Sequence, residues 1–220
     1  MTTRLKKTVF ALIFATVALL CSRTTQAYEP PLKTAIMLEF ASGVAIPIAN
    51  SNYTKFADPS FKLSLRAGVI FYVTRNFGIA PELQFDYIPV NSDDGTYADN
   101  HIDLKANRIR ALAGGRFIVP FGIGSFYFRL ALGVDYITAE YSASALGFTT
   151  TTTRNSTAFT LEPGFGVQFN IHRHIMIGVY AGFPIAPSHD VSVAFGGLDL
   201  IAGKFDAVDF DLLATIGFRF

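Results

Sequence analysis

Ala35-Ile36-Met37-Leu38-Glu39-Phe40-Ala41-Ser42-Gly43-Val44-Ala45-Ile46-Pro47-Ile48 is the stretch that decides the fold. Its even positions read Ile36, Leu38, Phe40, Ser42, Val44, Ile46 and Ile48, and its odd positions read Ala35, Met37, Glu39, Ala41, Gly43, Ala45 and Pro47. One face is greasy and the other is small or charged. A period of two is the mark of a strand whose two faces meet different surroundings.

The same alternation returns seven times. Phe61, Leu63, Leu65, Ala67, Val69, Phe71 and Val73 oppose Lys62, Ser64, Arg66 and Gly68, and Ile79, Leu83, Phe85 and Tyr87 oppose Glu82, Gln84 and Asp86. Ile109, Ala111, Ala113, Phe117 and Val119 oppose Arg108, Arg110, Gly114 and Arg116, and Phe126 to Tyr136 set Arg129, Gly133 and Asp135 on the second face. Phe159 to Ile171 alternate with Thr160, Glu162, Gly164, Gly166 and Gln168, and Ile175 to Phe183 with Met176, Gly178, Tyr180 and Gly182. Val208, Phe210, Leu212, Ala214, Ile216, Phe218 and Phe220 close the chain against Asp209, Asp211, Thr215, Gly217 and Arg219. Segments of about ten residues match the length at which a tilted strand crosses the hydrocarbon core. Short connections after the second, fourth and sixth segments alternate with long polar ones, Ala49 to Ser60, Asn91 to Asp103, Ser142 to Ser156 and Ile185 to Lys204. That asymmetry predicts an all-β, eight-stranded antiparallel up-and-down transmembrane barrel, with short periplasmic turns and four long extracellular loops.

A soluble ligand barrel would turn its apolar face inward, so the polar face decides the orientation. Besides glycines it carries the acids Glu39, Glu82, Asp86, Asp135, Glu162, Asp209 and Asp211 and the bases Lys62, Arg66, Arg108, Arg110, Arg116, Arg129 and Arg219. Buried charge is tolerated only when paired, and this near-equal set suits an enclosed lumen. A lumen charge network is therefore expected from Glu39, Arg66, Glu82, Arg108, Arg110, Arg116, Arg129, Asp135, Glu162, Asp209 and Asp211. The outward aromatics near the strand ends, among them Phe71, Phe117 and Phe126 at one side and Phe61, Tyr87 and Phe159 at the other, are expected to form interfacial girdles.

The N-terminus reads as a secretory leader. Arg4, Lys6 and Lys7 precede an apolar run from Val9 to Leu20, and Thr25-Gln26-Ala27 offers small residues for cleavage before Tyr28. Residues 1–27 are thus expected to be a signal peptide and 28–220 the barrel domain. The single cysteine, Cys21, falls in the leader, so disulfides are not expected in the mature chain. A net charge of +1 without a basic stripe argues against a nucleic-acid partner.

The terminal run Phe210 to Phe220 ends in an aromatic with apolar residues at every second position before it. It resembles the C-terminal strand signal that outer-membrane assembly machinery recognises, which makes Phe220, Phe218 and Ile216 the expected assembly signal. Over Ala35 to Phe220 the layout resembles the small eight-stranded outer-membrane barrel family that includes the OmpA-type transmembrane domain and the opacity-type surface proteins. The resemblance implies an outer-membrane location, with membrane lipids and the assembly machinery as partners and an extracellular partner reached through the loops.

Chemical motifs are sparse. His172 and His174, two apart at a tight turn, lack a third ligand and read as polar residues at a membrane edge. Ser188, His189 and Asp190 carry the names of a catalytic triad, but consecutive loop residues do not converge on a nucleophile. The Thr149 to Thr153 run reads as a solvated or strand-extending tip. No catalytic residue, metal site or cofactor is expected. The leading reading is a non-enzymatic protein with a structural or surface-interaction role. The alternative is a porin-like narrow channel or a conduit for small apolar ligands, and a lipid-modifying barrel enzyme ranks last.

Overall fold

The computed structural model describes residues 34–48, 58–91, 95–97, 100–145, 148–195 and 198–220. The expected signal peptide lies outside the described residues, as do residues 49–57 of the first expected loop. Ten strands follow one another: β1 (Thr34–Pro47), β2 (Ser60–Thr74), β3 (Phe77–Asn91), β4 (Gly95–Tyr97), β5 (Asn100–Phe121), β6 (Gly124–Ala145), β7 (Phe148–His172), β8 (Ile175–Gly182), β9 (Ile185–Phe195) and β10 (Leu198–Arg219). All pairings are antiparallel, and β1 pairs with β10 from Met37↔Arg219 to Pro47↔Asp209, which closes the sheet.

Eight staves make the wall. β8 and β9 form one stave interrupted at Phe183-Pro184, where proline has no N–H to give the ladder. The neighbours bridge the break, since Phe183 donates to the Pro163 carbonyl at 2.9 Å and Asp209 to the Pro184 carbonyl at 3.1 Å. The short β4 folds back only on β5. From Thr34 the register passes through Phe71, Ile79, Phe117, Phe128, Phe165, Ala181 and Leu212 and returns to Val44, ten residues further along β1. With eight staves spaced as in ordinary sheets, that stagger tilts the strands by about 40°.

The two ends differ. At one, tight turns lie at Arg75-Asn76, Gly122-Ile123 and Arg173-His174, with Gly122 at a φ of 29° that other residues rarely adopt. At the other, the ladders run on as hairpins: β5 and β6 pair as far as His101↔Ser144, β6 and β7 to Ala145↔Phe148, and β9 and β10 to Leu198↔Phe195. This corrects the reading of residues 91–103, 142–156 and 185–204 as loops, because most of each is paired strand.

Outward side chains are apolar around the whole wall. Leu83 is 65% exposed, Phe159 58% and Leu132 51%, values at which a water-soluble fold would leave a continuous greasy belt uncovered. Towards the hairpins the belt gives way, and the exposed residues there include Asn107, Glu140, Asn155, Thr157 and Asp206.

Candidate functional site

All fourteen charged residues of the polar face point into the lumen and are buried. Close packing of backbones makes room for them. A side chain on Gly133 would overlap the Ala111 carbonyl, and one on Gly164 would overlap the Tyr180 ring.

In the half nearer the turns, Glu39 on β1 collects donors from three other strands. Arg66 Nη1 reaches it at 2.8 Å, Arg116 Nη1 and Nη2 at 3.0 and 3.2 Å, and Gln168 Nε2 at 2.5 Å. Arg116 also pairs with Glu82 at 2.9 Å. Glu82 accepts in turn from Arg129, whose Nη1 lies 2.7 Å from Glu162. Tyr180 donates its hydroxyl to Glu162 at 2.9 Å. The Tyr127 and Tyr180 rings are stacked with centroids 6.2 Å apart, and guanidiniums lie over them, Arg66 4.0 Å from the Tyr180 centroid and Arg116 4.3 Å from that of Tyr127. The planar guanidinium stacks on aromatic faces while its edges still donate, which lets one residue serve both the stack and the ion pairs.

In the half nearer the hairpins, Lys62 Nζ sits between Asp211 at 2.6 Å and Asp86 at 2.7 Å. Arg108 donates to Asp209 at 2.5 Å and to Asp135 at 2.7 Å. Arg110 reaches Asp135 at 3.1 Å and Asp211 at 3.2 Å, and pairs with Asp209 as well. Gln84 joins the halves by taking a bond from Arg66 at 2.7 Å and giving one to Asp86 at 2.6 Å. Apolar clusters cover both sides: Met37, Ile70, Ala80, Ile118 and Met176 towards the turns, and Ala45, Ile88, Ala106, Ile137, Ala186 and Ala207 towards the hairpins. Arg219 stands apart at the turn end, donating to the Tyr72 hydroxyl and the Arg173 carbonyl, each at 3.3 Å.

The residues of the expected assembly signal lie on the outer wall at the closing seam. Ile216 and Phe220 are exposed and Phe218 is half-buried. Phe220 and Ile36 exchange both backbone bonds, at 2.9 and 3.0 Å, and the His174 ring stacks on Phe220 with centroids 6.4 Å apart. His174 Nδ1 is 2.8 Å from the Arg219 carbonyl, which ties that turn to the last strand.

The reading of His189 as one of three consecutive loop residues is corrected: it lies on β9 and points inward, beyond Ile185, an outward apolar residue of the same stave. His189 Nδ1 lies 3.2 Å from Ser156 Oγ, and its Nε2 4.0 Å from Asp135 Oδ2. These are the residue types of a hydrolytic triad. Asp135 is held by Arg108 and Arg110, so its charge is spent on them rather than on orienting the imidazole. Burial pushes His189 down to about 4, far below what a general base needs near neutral pH. Tyr127, Tyr180, Gln84 and Gln168 were missed as network members. Large aromatics on a face otherwise made of glycine and charge were the available signal. Among the described residues, no group of three or more His, Cys, Asp or Glu side chains is placed to hold a metal ion.

No family model and no curated protein matches the chain. Solved structures do. A major outer membrane protein from Thermus thermophilus is 9% identical, covering 85% of this chain and 99% of that one, with a TM-score of 0.50. Ail, the attachment invasion locus protein of Yersinia pestis, is 14% identical over 85% of this chain and 97% of its own, with a TM-score of 0.46. Neisserial surface protein A is 13% identical over 87% of this chain and 100% of its own, with a TM-score of 0.43. At such identities the likeness concerns the fold alone. This chain folds as an eight-staved, up-and-down antiparallel β-barrel of the outer-membrane kind.

Proposed function

We propose that the protein is a non-enzymatic outer-membrane barrel whose lumen is shut and whose work is done by the hairpins that rise beyond the lipid-facing belt. The buried ionic network carries this reading. Its charges are bonded to one another across the lumen, stacked aromatics fill the space between them, and apolar clusters lie above and below. An eight-stranded barrel is narrow enough for side chains to fill, and here they do so with paired charge, which disfavours the porin-like channel and the apolar conduit. A lipid-modifying activity is disfavoured by the state of His189 and Asp135.

The exposed apolar belt supports a membrane location, since a closed barrel satisfies every backbone group without water. Hairpins on a rigid scaffold are where surface recognition is usually placed, and we assign them to the cell exterior, with the turns in the periplasm. The N-terminal leader and the terminal aromatic fit export followed by assembly.

Orientation is tested with single cysteines, given that the only native one lies in the expected leader. On intact cells a membrane-impermeant maleimide should label Glu140→Cys, and should label Asn76→Cys only after the envelope is permeabilised. Labelling of Asn76→Cys on intact cells with Glu140→Cys protected would overturn the assignment.

A further inference from the structure

The lipid-facing wall is not uniform. Where β10, β1, β2 and β3 lie side by side, a recess of about 490 Å³ interrupts it. Its floor is small, formed by Ser42 and Ala214, which pair directly across the β1–β10 seam. Its walls are bulky: Phe40, Leu63 and Phe85 flank the floor, and Tyr87 stands at the end nearer the hairpins. The Tyr87 hydroxyl donates to Asn107 Oδ1 at 3.0 Å, so that end of the recess is polar and sits where the belt gives way to polar residues.

We propose that this recess is a binding site for one acyl chain of a membrane lipid, entering from the Tyr87–Asn107 end and lying along the Ser42–Ala214 floor. The inference rests on the membrane location proposed above. A bilayer must cover this wall, and lipid tails are as apolar as the side chains they meet, so water exclusion gives no preference for one position over another. Shape does. A chain against a flat wall touches it on one side, whereas a chain in the recess gains dispersion contacts from the floor and both walls. Tyr and Asn at the entrance are suited to the headgroup level, where amphipathic rings collect.

The full mature chain, refolded into vesicles of palmitoyl-oleoyl phosphatidylethanolamine and phosphatidylglycerol, is floated, extracted into detergent and weighed by native mass spectrometry. The wild type and Ser42→Ala should each keep one phospholipid-mass adduct. Ala214→Phe and Ser42→Leu, which fill the floor from opposite strands, should lose it. Equal adducts in the filled variants, or none in the wild type, would overturn the site. A lipid-free wild-type dimer that the filled variants convert to monomer would also overturn it and assign the face to a second copy of the chain. Failure to float with the vesicles would remove the membrane reading, and the site with it, so the two ideas fail distinguishably.

Discussion

Glu39 and Arg116, 77 residues apart in the chain, meet across the lumen through two hydrogen bonds of 3.0 and 3.2 Å. The contact ties β1, which helps close the barrel, to β5 on the far part of the sheet. Glu39 also holds Arg66, while Arg116 keeps a second carboxylate in Glu82.

Removing that carboxylate should therefore be costly. Glu39→Leu leaves the buried Arg66 facing an apolar side chain in place of its carboxylate while Arg116 falls back on Glu82, and breaking a buried pair in this way costs about 3 to 5 kcal/mol. Glu39→Gln keeps the acceptor oxygen and should cost less. Urea unfolding of the vesicle-embedded protein, followed by circular dichroism, checks the order; a Leu variant as stable as wild type would show that the network contributes little.

Adjacent positions on β6 should respond to opposite insults. Leu132 faces out near the middle of the belt, where an arginine costs about 2 to 4 kcal/mol in a bilayer. Gly133 faces in, and a Cβ there would overlap the Ala111 carbonyl, so even Gly133→Ala should weaken the barrel. Leu132→Ala should be tolerated far better than Leu132→Arg. If the arginine were harmless in a bilayer, Leu132 would not face lipid.

His189 supplies a pH dependence. Its folded pKa of about 4 lies below the ordinary 6.5, so the unfolded chain binds the proton more readily between those values. The stability that neutral His189 contributes is complete above pH 6.5 and is lost as the pH falls towards 4. The urea midpoint should drop between about pH 7 and pH 5, and His189→Gln should flatten that drop. An unchanged pH profile in the variant would place the effect elsewhere.

The last strand should govern assembly. Phe220 exchanges both its backbone bonds with Ile36 and carries the His174 ring, so its removal opens the seam where the sheet closes. Deleting Phe220 should lower the amount of folded protein in the outer membrane, read by resistance to unfolding on unheated gels. Wild-type levels after the deletion would refute the role.

The outward apolar belt was legible because each strand there separates two environments, and Leu130-Ala131-Leu132-Gly133-Val134 writes that separation directly into the sequence. Beyond the belt both faces meet polar surroundings, so the period of two fades although the pairing continues. That is why Thr149 to Arg154, paired with β6 residue by residue, reads as a loop. The membership of the charge set was legible too, but not its pairing. Lys62 meets Asp211 at a separation of 149 residues only because of the ten-residue stagger of the barrel, a property of the closed sheet rather than of any segment. His189 was hidden by the Phe183-Pro184 break and by the irregular register between Phe205 and Ala207, which obscure the face a residue takes.

If paired charge and stacked rings shut the lumen, the refolded protein carries no ion current across a planar bilayer. Conductance recordings of the wild type at neutral pH should show a silent membrane. Reproducible unit steps of ion current from the folded wild-type protein would contradict it.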